Sequence, residues 1–137
     1  MNIIGHGIDL VDCNRIREAI DKHGQHFLDR VFTSAEQEYC LGRKREIEHL
    51  AGRFAAKEAV LKVLGTGWQN GIAWTDIEVV NRSSGQPIVN LRGRCRQIAD
   101  QQGISSLLVS ISHIDTHAMA SAIAQKESTG GALGIGD

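Results

Sequence analysis

The run from Glu46 to Leu64 is the longest helical pattern in the chain, and it stops at Gly65 and Gly67, where glycine can take the left-handed backbone that ends a helix. The other helical patterns lie before it. Asp12 can N-cap a helix from about Cys13 to His23, with Gly24 as its stop. Phe27 to Phe32 reads as a short apolar turn. Thr33-Ser34-Ala35-Glu36 matches a capping box, in which hydroxyl and carboxylate satisfy exposed helix donors reciprocally, and predicts a helix through about Gly42. Strand patterns dominate the remainder. Asp76 to Val80 and Ile88 to Leu91 alternate on either side of the turn Asn81 to Pro87. Gly93 to Gln102 reads as a short helix, and Leu107 to His113 with Ala118 to Ala124 as a hairpin around Asp115-Thr116. One early strand precedes them all. In Ile3 to Val11, Ile4, His6, Ile8 and Leu10 share one face, while Ile3, Gly5, Gly7, Asp9 and Val11 share the other. Helices early and strands late predict an α+β fold, a mostly antiparallel sheet packed against a long central helix.

The long helix carries an anomaly. Its inward stripe would be Ile47, Ala51, Phe54, Glu58, Leu61 and Gly65. A carboxylate on such a stripe is costly unless it is paired or binds a cation. An ion pair with Lys62, one turn on, is one solution. Arg53, Lys57 and Lys62 suggest another, because Arg53 and Lys57 at i and i+4 can reach one anion. One carboxylate among several cations suits a phosphate ester with a divalent metal. Asp9, on its glycine-lined strand face, is the natural second carboxylate, and glycine in a strand often marks close approach of a backbone or ligand. Two acids and a few waters are enough for Mg²⁺, and Mn²⁺ uses the same oxygen ligands. No GxxxxGK[ST] motif is present, nor a GxGxxG following a strand, so the phosphate site is neither a P-loop nor a dinucleotide fold.

Composition narrows the partners. The chain has 137 residues with a formal net charge of -1, which excludes a nucleic-acid binder working through bulk charge. No run approaches ~20 apolar residues, so no transmembrane helix is expected, and no secretory signal is visible. Cys13, Cys40 and Cys95 are odd in number and widely spaced, the pattern of free thiols in a cytoplasmic protein. Aromatics are only 4%, so the core lacks the side chains with the largest apolar areas, and homo-oligomerisation is expected. Residues 1–125 read as a single domain and 126–137 as a flexible glycine-rich tail.

Several segments together resemble one family. Gly7-Ile8-Asp9-Leu10-Val11 with Arg15 downstream, Phe32 to Glu36, and the central run Arg53 to Gly67 resemble the signatures of the holo-[acyl-carrier-protein] synthases, the short 4'-phosphopantetheinyl transferases. Gly85-Gln86-Pro87 and Ser110 to His113 complete the likeness, which runs from about Ile4 to Ala124. The resemblance implies transfer of 4'-phosphopantetheine from coenzyme A to a serine of apo acyl carrier protein, giving the holo carrier protein and adenosine 3',5'-bisphosphate, with Mg²⁺ required. It also implies a homotrimer with each active site at a subunit interface, serving fatty-acid synthesis in the cytoplasm. By position it makes Asp9 and Glu58 the metal ligands and Lys62 a diphosphate contact with a possible part in activating the serine; Glu58 and metal-bound water are rival proton acceptors. Arg53 and Lys57 would hold coenzyme A phosphates, with Gly65 among the coenzyme A contacts. Ser84, Gly85 and Pro87 would lie beside the adenine nucleotide, His113 would close the site, and Arg15 would meet an acidic carrier-protein helix. Larger relatives supply a third carboxylate where this chain has Val11, so water is expected there. Two other readings compete: a trimeric binding module for coenzyme A or carrier protein without chemistry, and a metal-dependent nucleotide phosphohydrolase releasing phosphate without a carrier protein.

Overall fold

A computed structural model describes residues 1–69 and 71–127. The elements in chain order are β1 (Asn2–Asp12), α1 (Cys13–His23), α2 (Gln25–Val31), α3 (Ser34–Cys40), α4 (Glu46–Leu64), β2 (Ile77–Asn81), β3 (Pro87–Leu91), α5 (Gly93–Gln101), β4 (Ser106–His113) and β5 (His117–Lys126). A single 3₁₀ turn, Trp74–Asp76, leads into β2. The strands form two antiparallel sheets: β5 lies between β1 and β4, and β2 pairs with β3. The class is therefore α+β, as expected, with the strands divided between two sheets.

Local signals account for most boundaries. Asp12 accepts the Asn14 N–H at 2.8 Å and starts α1. Thr33 and Glu36 form the reciprocal capping box of α3. Gly65, at φ 74°, closes α4 in the left-handed region. The Phe27–Phe32 segment departs from its sequence reading, since Gln25–Val31 is helical and buries Leu28 and Val31. Lys126 belongs to β5, and the Glu127 N–H is held by Ser105 Oγ at 2.9 Å. The ordered strand thus passes the expected domain end at 125, while residues 128–137 of the proposed tail lie outside the described residues.

Helix α4 is buried on nearly every side rather than along one stripe. It packs against β1, β5 and β4 on one flank and against β2, α1 and α3 on the others. Small residues permit this. Ala51, Ala55, Ala56 and Ala59 on the helix are fully buried, and Ala118, Ala120, Ala122 and Ala124 line the inner face of β5. At Gly7 the contact is closest, because a Cβ there would stand 2.2 Å from the Ala59 carbonyl oxygen. The scarcity of aromatics is thus met by close approach, which restores the dense contact that interiors require.

The opposite face of the larger sheet is apolar and open. Register places Ile8 beside Ser121, Leu10 beside Met119, and Leu108 beside Ile123. Ile4, Ile8, Leu10, Leu108 and Met119 are each at least 39% exposed. A β-bulge between Ile3 and Gly5 breaks the alternation, so Ile3 is exposed as well.

Charges also occupy the core. Lys57 Nζ and Glu36 Oε1 form an ion pair at 2.8 Å with both side chains fully buried. Glu36 further accepts the Thr33 N–H at 2.9 Å and the Val79 N–H at 2.8 Å. Lys57 donates to the carbonyls of Ile77 and Trp74. Burial pushes the Lys57 ammonium below its usual range, against the pull of Glu36. Next to this pair, Glu78 accepts from Thr33 Oγ1 at 2.6 Å and from Arg92 at 2.7 Å. Burial pushes Glu78 up, but the bonds from Thr33 and Asn90 and the Arg92 charge outweigh it and hold the carboxyl low.

Removing one member of a buried pair strands the other charge, at a cost of about 3–5 kcal/mol. Lys57→Met should lower unfolding free energy by about that amount in denaturant titration. Glu36→Gln added to it should recover part of the loss. Near-native stability of Lys57→Met would show that the pair does not hold these elements together.

Candidate active site

The close contact of Gly7 with Ala59 sets β1 directly on α4, and it brings Asp9 to the helix that carries Glu58 and Lys62. Asp9 follows Gly7 on the inward face of β1. Lys62, one turn after Glu58 on α4, reaches across to it, donating to Asp9 Oδ1 at 3.1 Å and to the Ile8 carbonyl at 2.7 Å. Glu58 therefore does not pair with Lys62. Its Oε1 accepts the indole N–H of Trp68 at 3.0 Å. Both carboxylates are partly accessible. Each has one oxygen engaged by an N–H donor, and Asp9 Oδ2 and Glu58 Oε2 make no hydrogen bond among the described residues. Gly65 lies exposed at the end of the same helix.

A second cluster lies elsewhere on α4. Arg53 lines a pocket of ≈ 190 Å³ together with Gly85, Pro87 and His113. Its guanidinium donates to Asn81 Oδ1 and lies over the Tyr39 ring, 4.2 Å from the centroid. Arg53 is 3% exposed, and its Nε is buried without a hydrogen-bond partner among the described residues. Asn81 in turn donates to the Gly85 carbonyl at 2.7 Å, so the β2–β3 turn and the arginine are fixed to each other. His113 is oriented by Glu48, with Nδ1 and Oε1 2.6 Å apart, and its ring meets His49 edge-on at 5.3 Å between centroids. Burial, followed by the charges of His113, Arg53 and Arg43, pushes His49 below its ordinary value. The pocket thus combines the Arg53 guanidinium and two imidazoles with the Glu48 carboxylate that orients His113. Ser84 is exposed in the same turn, where its hydroxyl faces the Gln86 N–H at 3.4 Å.

The expected site residues thus separate into two groups within one chain. Asp9, Glu58, Lys62 and Gly65 belong to the strand–helix junction. Arg53, Gly85, Pro87 and His113 belong to the pocket, whose lining includes none of the first group. Lys57 belongs to neither. Its side chain is fully buried against Glu36, which corrects the expectation that it shares an anion with Arg53. Arg15 flanks a separate groove of ≈ 340 Å³ with Arg30, floored by Phe27, Phe54 and Trp74. Its guanidinium lies 5.2 Å from the Phe54 ring centroid. Sequence reasoning missed Asn81, Glu48, Tyr39 and Trp68 as partners of the site. Asn81, Glu48 and Tyr39 act through contacts between separate segments and Trp68 through a bond ten residues back to α4, and no periodicity or local motif marks them.

Known proteins share the sequence and the fold of this chain. A family model described as the 4'-phosphopantetheinyl transferase superfamily matches residues 5–122. A holo-[acyl-carrier-protein] synthase of Protochlamydia amoebophila is 48% identical over 120 residues, covering 88% of this chain and 96% of the relative. Among solved structures, the holo-[acyl-carrier-protein] synthase of Neisseria meningitidis superposes with a TM-score of 0.83 at 31% identity, covering 91% of this chain and all of that one. The Bacillus anthracis enzyme in complex with CoA (3',5'-ADP) gives a TM-score of 0.75 at 35% identity, covering 91% and 98% of the two chains. With its junction of two carboxylates and a lysine, its arginine-lined pocket and these relatives, the chain belongs to the 4'-phosphopantetheinyl transferase superfamily, among the holo-[acyl-carrier-protein] synthases.

Proposed function

We propose that the protein moves 4'-phosphopantetheine from coenzyme A to a serine of apo acyl carrier protein. The serine oxygen forms a new bond to the phosphorus that bears pantetheine. The bond from that phosphorus to the leaving group breaks, and adenosine 3',5'-bisphosphate departs. The observation that carries this reading is Arg53, a guanidinium lining a pocket beside Gly85, Pro87 and His113. Such a group calls for an anion, and a nucleotide phosphate supplies one. Ser84, exposed in the same turn, would lie beside the nucleotide. Lys62, accessible and next to Asp9, is suited to the diphosphate, with Gly65 beside it.

Asp9 and Glu58 fit a divalent cation. They are hard oxygen donors, each with one oxygen left over, and Mg²⁺ needs few protein ligands because it keeps its waters. Among the described residues no group of three or more His, Cys, Asp and Glu side chains could hold a metal, so water would complete the ligand set in place of the third carboxylate that larger relatives carry at the position of Val11. Mn²⁺ would bind the same oxygens. The cation would neutralise charge on the phosphoryl group under attack.

The separation of the two groups supports a homotrimer in which one copy's junction faces another copy's pocket. The open apolar face of the larger sheet supports it too, since contiguous exposed apolar patches mark interaction surfaces. The Arg15 groove, apolar below and basic at its rim, suits an amphipathic acidic helix of the carrier protein. No helix of the described residues is long and apolar enough to cross a membrane, and a cytoplasmic role in fatty-acid synthesis follows from this substrate pair.

With Mg²⁺ and coenzyme A, the protein should add the mass of phosphopantetheine to an apo acyl carrier protein. Glu58→Gln and Asp9→Asn should each slow this about 100-fold or more, the loss expected for several kcal/mol of charge stabilisation. No mass shift across a panel of carrier proteins would overturn the assignment. Arg53→Gln should raise KM for coenzyme A about 10-fold or more, as loss of a charged hydrogen bond implies, while Arg15→Glu should raise KM for the carrier protein. Exchange of these two effects would contradict the assigned sites. Light scattering should give three times the 14.9 kDa chain mass, and Leu10→Glu should give monomers without transfer activity. A fully active monomer would remove the interface from the site.

A further inference from the structure

We propose that Trp68 is a positioning residue for the Glu58 carboxylate, which its indole N–H holds so that Oε2 stays free to meet a cation. The inference rests on Glu58 being a ligand of that cation. Three observations carry it. The Trp68 Nε1–H donates to Glu58 Oε1 at 3.0 Å although the two residues are ten apart and the helix has ended between them. Indole nitrogen only donates, so the bond suits an acceptor oxygen and cannot reverse its roles. The ring is itself braced, lying 3.6 Å from Trp74 between centroids, and Trp74 stacks on Phe54 at 4.7 Å. Phe54 and Glu58 stand at i and i+4 on α4, one above the other. The stack of Phe54, Trp74 and Trp68 therefore spans one helical turn and returns to the helix at the carboxylate.

Packing alone does not require this. A phenylalanine or leucine at position 68 could cover Trp74, but neither would bring a donor to Glu58. A glutamate side chain on a helix otherwise has several rotamers, and fixing one oxygen fixes the direction of the other. Hydrogen bonds of this kind to ligating carboxylates typically carry about 10–100-fold in metal affinity.

The test uses the full chain saturated with coenzyme A, without carrier protein, so that no turnover occurs. Free Mn²⁺ is measured by electron paramagnetic resonance against coenzyme A alone. Trp68→Phe should weaken Mn²⁺ binding about 10-fold with an unchanged unfolding midpoint, and Glu58→Gln should abolish the protein's contribution. Wild-type Mn²⁺ affinity in Trp68→Phe, beside a loss in Glu58→Gln, would overturn the proposal while leaving Glu58 a ligand. Wild-type affinity in Glu58→Gln, or no protein contribution at all, would overturn the assignment of Glu58 and this proposal with it. A second readout needs no metal. The indole N–H resonance that disappears in Trp68→Phe belongs to Trp68, and it should shift in Glu58→Gln; an unmoved resonance would show that the bond is absent in solution. In kinetics, Trp68→Phe should raise the Mg²⁺ concentration for half-maximal rate and leave both substrate KM values unchanged, a split that a purely structural role would not produce.

Discussion

The buried pair of Lys57 and Glu36 is the contact on which the rest of the molecule depends. It ties three elements at one point, because Glu36 begins α3, Lys57 lies in the middle of α4, and both reach the backbone of β2. Arg53, one turn earlier on the same helix, reaches the far end of that strand at Asn81. Two cations thus fasten α4 to the two ends of β2. The strand so held carries the β2–β3 turn, and with it Gly85 and Pro87, to the wall of the pocket. Ion pairs without solvent are poor sources of net stability but strong enforcers of geometry once formed. Here the geometry enforced is that of the pocket.

The other group of residues is held by different means. Asp9 reaches its place because nothing stands between β1 and α4 at Gly7, and Lys62 closes the gap with two bonds to the strand. Among the described residues, the ion pair at this junction is the accessible one of Lys62 with Asp9 itself. The two groups thus rest on unlike supports, one on buried charge and one on absent side chains. A homotrimer would bring such groups together without either support having to carry both.

Much of the fold was legible because its signals are local. The caps at Asp12 and Thr33, the stop at Gly65 and the turn before Pro87 are chemical features of short segments, and the structure follows them closely. The segment before Thr33 was harder to read. Its helix is held by burial of Leu28 and Val31, and burial depends on partners that a local pattern does not name. Among the candidate residues, Asp9, Glu58, Lys62, Arg53 and the glycine turn are marked by sequence, and the structure places them in two groups. Lys57 shows the limit. Its spacing from Arg53 does reflect a shared partner, but the partner is a strand rather than a phosphate. Spacing reports which residues face the same way and leaves open what they face. Nor could the stripe reading of α4 succeed fully, because a helix covered on nearly all sides has no single inward face.

The alanines of β5 and of α4 have a consequence beyond packing. Where two surfaces meet through alanines, any larger residue widens the separation between them. Ala118, Ala120, Ala122 and Ala124 therefore act as a spacing gauge. One added ethyl group on β5 would lift the sheet from the helix and carry β1 with it, since the two strands are paired from Asn2 to Asp12. The reach of Lys62 to Asp9 would lengthen although neither residue had changed. The distance between strand and helix in this chain is written in residues that have almost no chemistry of their own.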